Sequence, residues 1–107
     1  MYAFHYYAST HTDSYRQKLQ TAINAGLPVF VSEYGLSEAS GNGNVNTSEA
    51  NKWMALLDQN KISCVAWNLS NKPETSSLIQ SSCAKTSGWK RSDLTESGKW
   101  VYDMLHK

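Results

Sequence analysis

The sequence predicts an α/β fold in which three strands form a parallel sheet and helices connect them. Apolar or aromatic runs at residues 2–7, 27–35 and 62–69 have the length and composition of strands. Segments with apolar residues at helical spacing follow these runs. Strands that alternate with helices pair in parallel through right-handed crossovers, so this order predicts three βα units that share one sheet.

The first unit begins with the aromatic strand at residues 2–7, which has polar groups at its end. Asp13 or Ser14 can cap a helix that continues from Tyr15 to about residue 25. Gly26 then ends this helix, because glycine relieves the strain of the position after a helix. The connection to the second strand is therefore very short.

The second unit begins with the run at residues 27–35, whose β-branched and apolar residues indicate a strand buried in a parallel sheet. A flexible loop rich in Gly, Asn and Ser follows at residues 37–46. A helix is expected from Thr47 to about Asn60, with apolar residues at helical spacing: Ala50, Trp53, Met54 and Leu57.

The third unit contains the strand at residues 62–69, a long polar segment at residues 70–95 and a last helix introduced by Ser97 and Gly98. This helix has one apolar side, formed by Trp100, Val101, Met104 and Leu105. The 107 residues suit one small domain. A three-stranded parallel sheet leaves two bare edges and a poorly covered face, so we expect homo-oligomerisation through the sheet edges.

The composition argues against several classes of partner. A net charge of +1 gives no reason to expect nucleic acid or an anionic membrane, and no apolar run approaches the roughly 18 residues of a membrane span. Cys64 and Cys83 are too few to hold a metal on their own. They can form one disulfide or remain free thiols, and the apolar run around Cys64 favours a buried thiol there.

Glu33 lies at the end of the second strand and is the strongest candidate for chemistry. An unpaired buried carboxylate is costly, so packing does not explain a glutamate in this place. The carboxyl ends of parallel strands are where α/β barrels gather their catalytic groups. The alternative is a carboxylate that caps a helix or lies in a loop.

The other strands also end in groups that suit a sugar site. His5 and Tyr7 end the first strand and Trp67 ends the third, so all should lie at the same edge of the sheet as Glu33. An indole face stacks on a pyranose ring, and polar groups bind its hydroxyls. Taken singly, His5 could be a structural histidine, and Tyr7 and Trp67 could be core residues.

Three segments carry a resemblance to a known family. Phe-His-Tyr-Tyr-Ala at residues 4–8, Val-Ser-Glu-Tyr-Gly at residues 31–35 and Ala-Trp-Asn-Leu-Ser-Asn-Lys-Pro-Glu at residues 66–74 resemble the C-terminal part of glycoside hydrolase family five cellulases. The resemblance continues to residues 88–98 and covers nearly the whole chain. It implies the last three βα units of a (β/α)8 TIM barrel, a single partial domain at residues 1–107.

The resemblance also implies roles for individual residues. Glu33 matches the catalytic nucleophile, Tyr7 the residue that hydrogen-bonds it, and His5 a neighbour that contacts sugar. Trp67 matches the aromatic residue that stacks on the sugar beside the scissile bond. Two further residues, Lys72 and Glu74, match groups that bind a more distant glucosyl unit, although without the family they are ordinary loop charges.

One part of the family pattern is missing. The general acid/base belongs to an Asn-Glu-Pro motif, and this chain contains none, whereas retaining hydrolysis needs two carboxyl groups. We therefore expect a piece of a secreted retaining endo-β-1,4-glucanase that binds β-1,4-glucan, needs no cofactor and is inactive or nearly so by itself. No signal peptide is recognisable. The alternatives are a non-catalytic carbohydrate-binding piece and a self-associating folding fragment.

Overall fold

The computed structural model describes residues 1–107 and contains the expected α/β arrangement. Strand β2 lies in the centre of a three-stranded sheet and pairs in parallel with β1 and with β3. The elements in chain order are β1 (Tyr2–Tyr7), α1 (Asp13–Asn24), β2 (Val29–Gly35), α2 (Thr47–Gln59), β3 (Cys64–Ala66), a 3-10 turn (Arg91–Asp93) and α3 (Glu96–Leu105). The predicted parallel sheet of three βα units is confirmed.

Three predicted boundaries are wrong. Strand β2 begins at Val29, two residues later than expected. The third strand has three residues, Cys64–Ala66, instead of eight, because the backbone leaves the sheet after Trp67. Asn68 there donates to the carbonyl of Ser76 at 3.2 Å and accepts from Leu78 at 3.1 Å. Helix α1 begins at Asp13, two residues earlier than expected, and the residue before it is Thr12.

An irregularity between β1 and β2 determines which side chains face one another at the sheet edge. Phe4 pairs with Val31, but the next residue, His5, pairs with Glu33. Ser32 is therefore an extra residue on β2, as in a β-bulge. The shift brings His5 and Glu33 side by side.

The core lies between the sheet and its helices, and the other face of the sheet is open. Tyr6 stacks on Trp53 of α2 with ring centroids 4.0 Å apart, and both are buried with a set of aliphatic residues: Leu19, Val31, Leu36 and Leu57. On the open face, Val65 is 50% exposed. The predicted uncovered face is present.

Both cysteines are free thiols and only partly buried, so the disulfide is not formed and Cys64 is less buried than expected. Burial still raises the pKa of the Cys64 thiol, with a smaller contribution from Asp58. None of the helices is long and apolar enough to cross a membrane.

Candidate active site

Tyr7 and Glu33 form the central contact of the site. The Tyr7 hydroxyl donates a hydrogen bond of 2.5 Å to Glu33 Oε2, which confirms the expected contact between these two side chains. Burial raises the pKa of the Tyr7 phenol, and the bond to Glu33 raises it further. Tyr7 thus remains a neutral hydrogen-bond donor beside the Glu33 carboxylate.

His5 lies at the other oxygen of the same carboxylate. Its Nδ1 is 3.7 Å from Glu33 Oε1, and its Nε2 is 2.8 Å from the hydroxyl of Ser32. The imidazole is half exposed and belongs to the open face of the sheet. Glu33 therefore has one oxygen bound by Tyr7 and one that faces the imidazole.

Gly35 makes the Tyr7–Glu33 contact possible. A Cβ atom at this position would lie 2.5 Å from Tyr7 Cε2, a distance that non-bonded carbon atoms do not tolerate. The Tyr7 ring packs over Gly35 at the end of β2. In this position its hydroxyl reaches the carboxylate of Glu33, which lies two residues before Gly35 in the sequence. The sequence suggests a turn glycine here, whereas the structure shows that Gly35 gives the Tyr7 ring room.

Trp67 extends from the end of β3 toward the open face. Its backbone N–H donates to the carbonyl of Tyr34 at 2.7 Å, and the whole residue is 44% exposed, so the core interpretation is wrong. Tyr34 and Ala66 are register partners that pack toward the helices. Because side chains alternate along strands, their neighbours Glu33 and Trp67 both lie on the open face.

Lys72 and Glu74 lie in the segment after β3 and are exposed. Both line a cleft of about 430 Å³ whose other lining residues are mostly polar: Asn42, Pro73, Thr75, Gln80, Ser81, Ser82 and Thr95. The segment is fixed to the loop after β2, because Ser76 donates to the carbonyl of Gly41 at 3.0 Å. Glu74 is also close enough to Tyr7 to add slightly to the rise in its pKa.

These positions define what the site can do. Glu33 lies at the edge of the sheet, where its carboxylate contacts the phenol of Tyr7 and faces the imidazole of His5, and the exposed indole of Trp67 lies at the end of the neighbouring strand. The set suits a nucleophile or a carboxylate that stabilises a cation, next to a surface that can stack on a sugar ring. No group of three or more His, Cys, Asp or Glu side chains is placed to hold a metal ion.

Sequence reasoning missed three residues that support this site. Ser32 binds His5, and His11 accepts a hydrogen bond from the backbone of Tyr7. Trp53 lies in the core as expected, and its indole N–H also donates to the carbonyl of His11 at 2.8 Å. In the sequence, the only signal for His11 is that it lies close to the end of the first strand. The β-bulge at Ser32 and the loop contacts of His11 leave no periodic pattern in the sequence.

Comparison with solved structures defines the class of protein. The chain superposes on a structure from Cytophaga hutchinsonii with a TM-score of 0.94 and 43% identity, covering 99% of this chain and 35% of that one. It superposes on the catalytic domain of the Thermobifida fusca endoglucanase Cel5A, in complex with cellotetraose, with a TM-score of 0.93 and 34% identity, covering all of this chain and 35% of that one. The fold is thus part of the TIM barrel of cellulases.

The sequence comparisons give the family. The Cellulase (glycosyl hydrolase family 5) model matches residues 1–73, and the chain belongs to this family. It is 44% identical over 106 residues to endoglucanase A of Butyrivibrio fibrisolvens, covering 98% of this chain and 25% of that protein. An endoglucanase of Clostridium saccharobutylicum is 44% identical over 101 residues, covering 94% and 22%. The chain therefore spans about a quarter of these relatives.

Proposed function

We propose that this chain is the C-terminal part of a retaining endo-β-1,4-glucanase and carries its nucleophile, Glu33. The observation that carries the proposal is the hydrogen bond from the Tyr7 hydroxyl to Glu33 Oε2 at the open edge of the sheet. It holds the carboxylate in one orientation and leaves the second oxygen, Oε1, to attack the sugar.

Glu33 Oε1 is the attacking atom in this proposal, because Oε2 is bound by Tyr7. It forms a bond to the anomeric carbon while the bond to the leaving glucosyl oxygen breaks, which gives a covalent glycosyl-enzyme. Water then releases the sugar with retained configuration. A second carboxyl group about 5–5.5 Å away must protonate the leaving oxygen and activate this water.

The substrate is a β-1,4-glucan. The exposed indole of Trp67 stacks on the glucosyl unit beside the scissile bond, and His5 contacts the same unit. Lys72 and Glu74 bind a more distant unit from their polar cleft. The cellotetraose complex of the Thermobifida fusca enzyme supports this substrate class. A polymeric substrate of this kind also argues that the whole enzyme is secreted, and no cofactor enters the mechanism.

The acid/base is not part of this chain, since it contains no Asn-Glu-Pro motif. Protonation of a leaving group contributes about 10²–10⁴-fold to rate. We therefore expect the 107-residue chain to release no reducing ends from soluble cellulose above background. Robust release that Glu33→Gln abolishes would contradict this assignment and place the acid/base within the chain.

A binding measurement tests the proposed substrate. Titration with cellotetraose should change the tryptophan fluorescence of the chain, and Trp67→Phe should remove the change. No binding at any cellotetraose concentration would favour a bare folding fragment. The exposed indole also supports a second candidate, a non-catalytic carbohydrate-binding piece, which predicts binding but no chemistry at Glu33.

A further inference from the structure

His11 contacts the backbone of the residue that binds Glu33. Its imidazole Nδ1 accepts a hydrogen bond of 2.8 Å from the backbone N–H of Tyr7. Ala8 donates to the carbonyl of Gly35 on β2, so the N–H of the preceding residue, Tyr7, points away from β2. The His11 side chain thus accepts the hydrogen bond that a neighbouring strand would otherwise accept from this N–H.

His11 is held by contacts of its ring and of its backbone. It stacks on the ring of Tyr15 with centroids 4.4 Å apart, and the carbonyl of His11 accepts from the buried indole of Trp53 at 2.8 Å. The backbone N–H of His11 donates to the carbonyl of Tyr7 at 2.8 Å. His11 thus binds both polar groups of the Tyr7 backbone and is itself held by α1 and α2.

We propose that His11 is a positioning residue that sets the backbone of Tyr7 and, through the Tyr7 phenol, the orientation of the Glu33 carboxylate. The assignment deepens the proposed function, since it gives the nucleophile a second layer of support. The action of His11 depends on the acceptor at Nδ1, which binds the Tyr7 backbone.

Two substitutions distinguish the effect of the His11 ring from the effect of its Nδ1 acceptor. His11→Phe keeps an aromatic ring that can stack on Tyr15 but removes the acceptor. His11→Asn removes the ring but offers Oδ1 close to the place of Nδ1. A residue with a merely structural role would be replaced better by Phe, whereas a positioning acceptor is replaced better by Asn.

The readout is ionisation of the Tyr7 phenol, followed by NMR of tyrosine labelled at Cζ and assigned with Tyr7→Phe. At about pH 11, one unit above the ordinary tyrosine value of about 10, Tyr7 should be un-ionised in the unmodified chain. His11→Phe should leave Tyr7 substantially ionised, because the phenol no longer reaches Glu33 and is less buried. His11→Asn should restore the un-ionised form, while the buried Tyr6 and Tyr34 report that the core is intact.

Equal Tyr7 ionisation in the unmodified chain and in His11→Phe would overturn the proposal, as would a larger change in His11→Asn than in His11→Phe. The result is independent of sugar chemistry. If Tyr7 responds as expected but the chain neither binds cellotetraose nor reacts at Glu33, the proposed function fails and the positioning role stands.

Discussion

At the scale of single residues, Gly35 determines whether Tyr7 can bind Glu33. In Gly35→Ala the new methyl group would meet the Tyr7 ring at 2.5 Å, so we expect the ring to move and the hydrogen bond to break. Overpacking of this kind costs typically 1–3 kcal/mol, measured as the loss in the free energy of unfolding by urea. In a Tyr7→Ala background the same substitution should cost much less; an equal cost in both backgrounds would show that the ring is not the obstacle.

His11 gives the chain a specific pH dependence. Burial lowers the pKa of its imidazole below the ordinary value of 6.5, because the charged ring is less well solvated inside the protein. The His11 imidazole is therefore protonated more readily in the unfolded chain than in the folded chain. The stability that depends on neutral His11 is lost as pH falls from about 6.5 through the lowered pKa of the folded chain. Urea unfolding between about pH 7 and pH 5 should show the loss. His11→Asn should show a smaller loss, and identical profiles would contradict the account.

The sequence could place four side chains at one edge of the sheet, because parallel strands end there: Glu33, His5, Tyr7 and Trp67. Ser32 and His11 could not be placed in this way, since their roles depend on a one-residue bulge and on a loop contact that no spacing reveals. The role of Gly35 was also hidden, because a glycine needed for a close approach reads like a turn glycine.

At the scale of elements, the helix starts differ in how they are stabilised. Asn46 Oδ1 accepts from the backbone N–H of Glu49 at 3.0 Å and caps α2, whereas Thr12 makes no side-chain cap bond at the start of α1. We expect Asn46→Ala to lower the free energy of unfolding by about 1 kcal/mol. Thr12→Ala is the matched control and should have a much smaller effect; equal losses would refute the difference.

The helices and the first two strands follow local patterns and were predictable to within a few residues. The third strand was not, because the apolar run 62–69 continues past the point where the backbone turns to bind the polar segment. Its length depends on hydrogen bonds of Asn68 to Ser76 and Leu78. These hydrogen bonds join residues that are distant in the sequence. A run of strand-forming residues alone therefore predicts too long a strand.

At the scale of the whole molecule, the open sheet face and bare edges predict self-association. We expect sedimentation to show a dimer or larger species. Val65→Lys, which places a charge on the open face, should shift the chain toward monomer. Leu105→Lys, at an exposed position on α3, should not. A compact monomer of the unmodified chain at all accessible concentrations would contradict this prediction.

We propose that Glu33 is the nucleophile of a site that this partial barrel retains. The most direct test is reaction with a dinitrophenyl cellobioside in which fluorine replaces the hydroxyl beside the anomeric carbon. Dinitrophenolate departs without being protonated, so the missing acid/base is not needed, and the fluorine slows release of the sugar. Mass spectrometry should find one fluorocellobiosyl group on the peptide that contains Glu33, and none in Glu33→Gln. No adduct at Glu33, or an equal adduct in Glu33→Gln, would contradict the account.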